Sequence, residues 1–329
     1  MTNLQHFDSF ELPFQPYAFS FSSIFAKELR LAIGSFEKNS SNKISIFHSS
    51  GEKFYHETEI DVKFPQTRIV FSPQSTLSPY DSFLSCDTKL NLYKLENSVT
   101  SKASEISISE ANAPISCADW SRLDQYLCVA GCVDGTSTVV DLNTGEIVSK
   151  IQTHEQPVYD ISFCPTSSTF VTASLDGSLR IFDLRDLQSS LIFYQAAMPI
   201  QRSIISPFEG YRVAALIKDS SKAVIVDNRK PGQCCSLCGG NNNPIIGIAW
   251  SKLSPARLFT GHSDGEIYAC DMSVANGTPT STEMCYRTRR KIQNLMVGPM
   301  TIGVATEKAF EFVDTTESPP PLISYRCTD

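Results

Sequence analysis

Three residues of this 329-residue chain have the types found in a hydrolytic triad: His154, Ser174 and Asp176. In such a triad the serine attacks, the histidine takes up its proton and the carboxylate orients the histidine. The reaction also needs an oxyanion hole and a substrate cleft. Whether these residues do chemistry or support the fold therefore depends on the elements that carry them.

A second candidate for chemistry is the cysteine cluster at residues 234–238, which contains Cys234, Cys235 and Cys238. Two neighbouring thiolates can share a zinc ion, but a closed site needs four ligands, and no second Cys/His pair follows at a matching spacing. We therefore predict a surface loop with incidental cysteines, and neither a metal nor a cofactor. Most of the eleven cysteines are expected to be buried free thiols in a reducing compartment.

Composition excludes several classes of protein. The chain has 28 basic and 35 acidic residues, a net charge of −7 and 41% apolar residues, which excludes wholesale disorder. An acidic chain that lacks a Lys/Arg-rich run is a poor ligand for phosphates, so we expect no direct nucleic-acid binding. No basic leader precedes an apolar segment, and no apolar run approaches the ~18 residues of a membrane helix. The composition predicts a soluble intracellular protein that does not bind a membrane.

A β-rich run that ends in an apolar residue, usually followed by Asp, recurs seven times along the chain. Its end points are residues 47, 93, 140, 182, 226, 270 and 312. The spacing of 42 to 47 residues matches the period of a WD-repeat propeller blade. The runs occupy residues 44–47, 90–93, 137–141, 179–183, 223–227, 267–271 and 309–312.

The clearest copy shows the other strands of a blade. Residues 157–163 predict the innermost strand, residues 170–174 the second and residues 178–183 the third, with Asp176-Gly177 as the hairpin turn. No stretch of ten or more residues has helical periodicity. The sequence therefore predicts an all-β, seven-bladed propeller that forms a single domain over residues 6–313.

The chain's two ends are expected to close the ring. The first inner strand begins near Tyr17, which leaves residues 6–11 to form the outer strand of blade seven beside residues 309–313. The tail at residues 314–329 is predicted to be mobile, and the polar segment 100–110 to be a surface or mobile insertion.

The predicted blade favours a structural role for the histidine, serine and aspartate. His154 precedes the inner strand, Ser174 ends the second strand and Asp176 opens the turn, where WD repeats place a buried hydrogen-bond network. Phe182 stands where many repeats have Trp, so we predict a network of three residues without an indole. No residue is assigned as catalytic, and the protein is not expected to be an enzyme.

Five blocks of sequence are more specific than the repeat itself. They occupy residues 30–36 with 42–43, residues 113–120, His154 with residues 158–161, residues 176–187 and residues 247–250. They resemble the eukaryotic WD-repeat scaffolds of the Transparent Testa Glabra and anthocyanin-eleven type, whose animal members are cullin-ligase-associated factors that bind dual-specificity tyrosine-regulated kinases. The resemblance implies a cytoplasmic and nuclear scaffold for a kinase or for transcription factors, acting as a monomer or within a larger complex.

Partners of a propeller are expected to meet residues at the start of the inner strands. Aligning the seven copies and stepping back from the last apolar position of each inner strand gives the predicted rim. Tyr and Arg are enriched in binding hot spots, which makes Tyr17, Arg68, Tyr159 and Arg202 the predicted anchors. The full predicted rim is Tyr17, Ala18, Thr67, Arg68, Ser116, Cys117, Tyr159, Asp160, Gln201, Arg202, Ile246, Gly247, Gln293 and Asn294.

A second surface is suggested by two Asp-x-Arg endings, Asp183 with Arg185 and Asp227 with Arg229. With Asp176 upstream, they resemble the box by which many WD proteins dock the adaptor of cullin-4 ubiquitin ligases. A local ion pair would produce the same pattern.

Two alternatives to a scaffold remain at this stage. A reader of linear motifs or modified peptides would use the top of the channel, although Tyr17 and Tyr159 alone are too far apart to cage one cation. A propeller hydrolase would need a deep polar pocket with perturbed carboxylates.

Overall fold

The computed structural model describes residues 6–22, 29–38, 41–50, 53–73, 81–96, 98–109, 113–273, 278–299 and 301–315. No helix in these ranges is long and apolar enough to cross a membrane. The strands in chain order are β1 (His6–Glu11), β2 (Pro16–Phe21), β3 (Arg30–Ser35), β4 (Asn42–Ser50), β5 (Lys53–Val62), β6 (Arg68–Phe71), β7 (Asp81–Cys86), β8 (Leu90–Glu96), β9 (Val99–Ile106), β10 (Ile115–Trp120), β11 (Leu127–Cys132), β12 (Thr136–Asp141), β13 (Glu146–Gln152), β14 (Val158–Phe163), β15 (Thr169–Ser174), β16 (Ser178–Asp183), β17 (Asp186–Gln195), β18 (Ile200–Ile205), β19 (Arg212–Ile217), β20 (Ala223–Asp227), β21 (Cys234–Cys238), β22 (Ile245–Trp250), β23 (Arg257–His262), β24 (Glu266–Met272), β25 (Pro279–Arg287), β26 (Ile292–Val297), β27 (Thr301–Thr306) and β28 (Ala309–Asp314).

The strands form seven antiparallel sheets of four strands each. Blades one to six are the consecutive sets β2–β5, β6–β9, β10–β13, β14–β17, β18–β21 and β22–β25, and blade seven is β26–β28 completed by β1. The first strand of each blade contacts the first strand of the next, and β2 contacts β26, so the ring is closed. The predicted seven-bladed propeller and its closure by the N-terminal strand are confirmed.

The two ends of the ring are distinguished by which loops they carry. We call the end where the inner strands begin the rim end. It also carries the turns between the second and third strands. The opposite end, which we call the far end, carries the turns between the first and second strands and between the third and fourth strands.

Tight turns between the second and third strands depend on residues that tolerate positive φ. Gly135, Gly177 and Gly265 follow an aspartate in three blades and have φ of 83°, 78° and 92°. A Cβ at Gly177 would lie 2.6 Å from the backbone oxygen of Ala196, so glycine is needed for space as well as for conformation. In blade five Asp219 adopts a φ of 57° near the corresponding turn.

The core is divided into seven apolar clusters, one between each pair of neighbouring blades. The second and third strands of each blade therefore bury side chains on both faces, whereas the outer strands expose one face. The cluster between blades seven and one is rich in phenylalanine, with Phe19, Phe54 and Phe310 buried among others. The two ends of the chain are thus joined by aromatic packing as well as by strand pairing.

Three predictions about irregular segments need comment. The supposed insertion at residues 100–110 is wrong, because Val99–Ile106 forms β9, the outer strand of blade two. The supposed loop at the cysteine cluster is also wrong, because Cys234–Cys238 forms β21 in blade five. Both were missed because an outer strand has one solvent-exposed face and weak alternation. The predicted mobile tail lies outside the described residues, apart from Asp314 in β28 and Thr315.

Candidate functional site

His154 lies at the centre of a buried hydrogen-bond network at the rim end of blade four. Its Nδ1 lies 2.9 Å from Oδ2 of Asp176, and its Nε2 lies 2.7 Å from the hydroxyl of Thr172. Because a carboxylate only accepts, Nδ1 carries the proton and Nε2 accepts from Thr172. Ser178 donates to the other oxygen of Asp176 at 2.7 Å. The network ties the segment before β14 to β15 and to the turn that follows β15.

The pKa values in this network indicate a neutral imidazole beside a carboxylate. Burial lowers the pKa of His154 below its ordinary value, and the hydrogen bond to Asp176 offsets only part of that shift. Burial alone would raise the pKa of Asp176, but hydrogen bonds from Ser178 and His154 lower it.

The predicted network of His154, Ser174 and Asp176 is wrong in one member, because Thr172 takes the place of Ser174. Ser174 donates to the backbone oxygen of Gln156 at 3.3 Å and accepts the backbone N–H of Asp176 at 3.2 Å, whereas Thr172 reaches the imidazole. Side chains two residues apart share one face of a strand, so the sequence did not distinguish Thr172 from Ser174. Ser174 therefore lacks the contact with the base that a nucleophile needs, and Thr172, which has that contact, is fully buried together with His154.

We expect Thr172→Val to lower the free energy of unfolding by about 1–3 kcal/mol, because it leaves Nε2 of the buried His154 without a donor. Ser174→Ala should cost less, about 1 kcal/mol, because its longer hydrogen bonds are to groups nearer solvent. Urea unfolding followed by tryptophan fluorescence measures both changes. A larger loss for Ser174→Ala than for Thr172→Val would contradict this arrangement.

The network also predicts that mild acid destabilises the fold. The folded-state pKa of His154 lies below that of the unfolded chain, so the unfolded state binds more protons below about pH 6.5. The contribution of His154 is complete above that pH and is lost as the pH falls toward the folded-state pKa. Urea titrations across this range should show a shallower pH dependence for His154→Gln than for the wild type, and equal slopes would contradict the prediction.

Two cysteines of the cluster at residues 234–238 lie in different environments. Cys234 is exposed, whereas Cys238 is buried in the cluster between blades five and six. No group of three or more His, Cys, Asp or Glu in the described part of the chain is arranged to hold a metal ion. The other cysteines described are all free and buried, as the sequence predicted for most of them.

Six of the seven inner strands share an irregularity at their start that decides which side chains face a partner. In β2 the register against β3 slips by one between Pro16 and Ala18, and the same slip occurs in β10, β14, β18, β22 and β26. Such a bulge sets two residues of one strand against one of its neighbour. The extra residues are all exposed or half-buried, and they are Tyr17, Ser116, Tyr159, Gln201, Ile246 and Gln293.

The residue after each bulge turns inward and, in several blades, joins neighbouring blades. Asp160 accepts the backbone N–H of Ser203 at 3.0 Å, and Asn294 donates to the backbone oxygen of Tyr17 at 2.9 Å. Arg202 donates to Oδ1 of Asn294 at 2.8 Å and stays half-buried. The assignment of Asp160 and Asn294 to partner binding is therefore wrong. The other predicted rim residues buried at this position are Ala18, Cys117 and Gly247.

Arg68 also differs from its predicted role as an anchor. Only 17% of its side chain is exposed, and its Nη1 lies 3.9 Å from Oδ1 of Asp160, two blades away. Burial alone would lower the pKa of Arg68, but the carboxylates of Asp160 and Asp119 raise it. Arg68 therefore compensates buried negative charge. The predicted rim residues left facing solvent, in whole or in part, are Tyr17, Thr67, Ser116, Tyr159, Gln201, Arg202, Ile246 and Gln293.

The rim end also carries a basic segment that the sequence analysis overlooked. Arg287, Arg289, Arg290 and Lys291 are four basic residues within five positions, and all are exposed. Arg290 pairs with Glu11 at 2.9 Å, which helps to hold β1 in place. The chain therefore has a Lys/Arg-rich run, and the prediction that it lacks one is wrong. A count of basic residues in short windows of the sequence would have found residues 287–291.

The two Asp-x-Arg endings form closed ion pairs at the far end. Nε and Nη2 of Arg185 lie 2.9 Å and 2.6 Å from the two oxygens of Asp183, and the hydrogen bonds lower the pKa of Asp183 to about 2. Arg229 binds Asp227 in the same way at 2.9 Å and 2.7 Å. The exposed fractions of the Arg185 and Arg229 side chains are 80% and 58%. Each pair therefore holds its guanidinium at the protein surface, where a partner could reach it.

Asp176 does not belong to this box. It lies in the turn before β16 at the rim end, whereas Asp183 is the last residue of β16 at the far end. A strand of this length spans about 20 Å, so Asp176 and Arg185 cannot contact one partner group together. The assignment of Asp176 to the ligase-adaptor box is therefore wrong.

One segment of the chain matches a known protein family. Residues 145–183 match the family WD domain, G-beta repeat. They contain β14 to β16 together with the His154, Thr172 and Asp176 network. The match and the seven closed blades define the fold as a WD-repeat β-propeller.

Over most of its length the chain is similar to particular WD-repeat proteins. It is 28% identical over 273 residues to the DDB1- and CUL4-associated factor 7 homolog of Dictyostelium discoideum, an alignment that covers 80% of this chain and 84% of that protein. It is 26% identical over 290 residues to a WD repeat-containing protein of Schizosaccharomyces pombe, covering 77% and 66%. It is also 28% identical over 158 residues to the eukaryotic translation initiation factor 3 subunit I of Vanderwaltozyma polyspora, covering 45% of each chain. The finer resemblance to the Transparent Testa Glabra and anthocyanin-eleven type stays a prediction.

Proposed function

We propose that this chain is a non-enzymatic scaffold that links a protein kinase or transcription factors to other proteins. The observation that carries the proposal is the set of six bulges, each of which turns one side chain outward from a rigid inner strand. Side chains held on a rigid frame lose little entropy when a partner docks. Similarity to a DDB1- and CUL4-associated factor supports a scaffold over an enzyme.

Two tyrosines are the proposed anchors for the kinase, of the dual-specificity tyrosine-regulated class. Tyr17 is 36% exposed, and its ring lies against that of Phe36 with 4.9 Å between centroids, so it is already ordered. Tyr159 is the extra residue of the bulge in blade four. Large aromatic side chains of this kind contribute most to binding when a partner covers them.

Titration of the purified kinase against Tyr17→Ala and Tyr159→Ala tests the rim. We expect each variant to weaken binding about tenfold, ~1.4 kcal/mol, because it removes an ordered aromatic surface. Tyr55→Ala is the matched control, since Tyr55 is 49% exposed on β5, the outer strand of blade one. Equal affinity for all three variants and the wild type would exclude the rim as the kinase site.

We further propose that the far-end ion pairs dock the adaptor of a cullin-4 ubiquitin ligase. The DDB1- and CUL4-associated factor that this chain resembles, and the outward guanidinium groups of Arg185 and Arg229, support this assignment. Co-purification of the adaptor should fall with Arg185→Ala and stay unchanged with Arg287→Ala, an arginine 65% exposed at the rim end. Equal recovery with both variants would remove the ligase role from this site.

We also propose that the scaffold resides in both cytoplasm and nucleus, because its proposed partners are kinases and transcription factors. Imaging of the full chain carrying a fluorescent tag tests this proposal. Complete absence from either compartment would contradict it.

A further inference from the structure

A groove of about 460 Å³ opens at the rim end between the outer parts of blades six and seven. One wall is the end of β25 with the segment that follows it, and the other wall consists of β1 and β28. Ser9 pairs with Glu311 and Glu11 with Ala309, so these four side chains share the face of blade seven that meets blade six. We call this cavity the six–seven groove. Its lining includes Ser9, Glu11, Arg287, Arg289, Arg290 and Glu311.

Hydrogen bonds between the two walls fix the width of the groove. Glu311 of blade seven is buried, and its two oxygens accept from the hydroxyls of Thr288 at 2.8 Å and Tyr286 at 3.0 Å in blade six. Thr288 is therefore directed inward, which leaves its neighbours Arg287 and Arg289 directed outward. A partner would meet a preformed groove and would lose little free energy in ordering it.

The acidic side chains at the groove are already engaged. Both oxygens of Glu311 accept the two hydroxyls of blade six. Glu11 accepts from Nη2 of Arg290 at 2.9 Å. Glu266, in the neighbouring turn of blade six, lies 3.5 Å from Nη1 of Arg287.

Arg289 gives the groove an excess of positive charge. It is exposed and forms no ion pair with a carboxylate in the part of the chain that the structure describes. A second groove, between blades one and two, has a balanced lining of three lysines and three acidic residues, and its Glu105 accepts from both Lys89 and Lys102. The six–seven groove has three arginines against two glutamates, so it can take up a further negative charge.

We propose that the six–seven groove binds an acidic segment of a partner protein, with an aspartate or glutamate side chain on Arg289. A guanidinium group matches a carboxylate through two parallel hydrogen bonds, and the nearby Arg287 adds attraction. The net charge of −7 and the exposed Glu11 disfavour a nucleic acid, whose phosphates would extend beyond the groove. The site is separate from the bulge side chains and from the Asp-x-Arg pairs, so it does not rest on the function proposed above.

A library of short random peptides displayed on phage tests the proposal with the full chain. Peptides retained by the wild type, after removal of those that also bind Arg289→Glu, are expected to carry aspartate or glutamate. The most enriched peptide, labelled with a fluorophore, should bind Arg289→Glu about tenfold more weakly than the wild type, because an attractive contact becomes repulsive. Arg289→Lys should weaken binding less, since it keeps the charge and loses only the paired hydrogen bonds.

Two matched variants separate the groove from a general charge effect. Lys291→Glu makes the same charge change two residues beyond Arg289 on the same exposed segment, and it should bind the peptide within about twofold of the wild type. Ser9→Trp keeps every cation and fills the groove from the opposite wall, where Ser9 is exposed, so it should weaken binding as Arg289→Glu does. Melting curves of all variants check that each is folded.

A basic or uncharged consensus, no enrichment, or equal affinity for wild type and Arg289→Glu would overturn the proposal. Equal losses with Lys291→Glu and Arg289→Glu would reduce it to a general charge effect, and full affinity of Ser9→Trp would place the peptide outside the groove. Two further ligands test the chemical class. Displacement of the peptide by duplex DNA at physiological salt, or much tighter Arg289-dependent binding when phosphoserine replaces its acidic residue, would overturn the assignment to a carboxylate segment.

Discussion

Deletion of residues 1–12 is expected to lower the melting temperature on the order of 5–10 °C, because it removes the outer strand of blade seven. That strand pairs with β28 from His6 to Glu11. Phe10 stacks on Phe47 with 4.4 Å between ring centroids, and Leu12 is buried. Loss of these apolar contacts and of the strand's hydrogen bonds costs about 5 kcal/mol or more.

Two additional measurements test whether the loss of stability is caused by removal of β1. Phe10→Ala should lower the melting temperature by a few degrees, whereas Phe64→Ala, which truncates a phenylalanine 39% exposed, should change it by about a degree or less. A synthetic peptide of residues 1–15, added to the truncated chain, should restore part of the lost stability. An unchanged melting curve for the truncated chain would contradict closure by β1.

The second large effect is expected from Arg68→Glu, which should lower the free energy of unfolding by about 3–5 kcal/mol. The change removes the cation near Asp160, whose side chain is 1% exposed, and adds a third carboxylate beside Asp160 and Asp119. Urea unfolding monitored by tryptophan fluorescence measures the loss.

Arg202→Glu is the matched control for this charge reversal. Arg202 is half-buried and donates to Asn294, but it forms no ion pair with a carboxylate among the residues that the structure describes. We therefore expect a loss of about 1 kcal/mol, the value of one hydrogen bond. A similar loss for both variants would show that Arg68 does not compensate buried charge. Because Arg68 supports the fold, only Arg202 is suited to test charge recognition at the rim.

The propeller could be predicted because the second and third strands of each blade are buried on both faces. That burial forces the recurring apolar end points, from residue 47 to residue 312, and the inner strand predicted at residues 157–163 ends at Phe163, as β14 does. The outer strands β9 and β21 were missed because one face is exposed and their place is set by pairing with β8 and β20.

The functional surfaces could be predicted only in part. A bulge has no sequence signature here, so Tyr159 and Asp160 were assigned alike, although one faces solvent and the other is buried. The link between Arg68 and Asp160 crosses blade three and cannot be inferred from spacing along the chain. The basic segment at residues 287–291 was visible in the sequence and was overlooked.

The inner strands run side by side between the two ends of the ring, and most are six residues long. At ~3.3 Å per residue they make a spacer about 20 Å thick. Proteins bound at opposite ends would not compete, and the wall of the propeller would keep their facing surfaces at that fixed distance. An enzyme bound at one end could act on a protein bound at the other end only if it extended around the outside of the ring. In a productive ternary complex the enzyme would therefore pass over the outer strands of the blades.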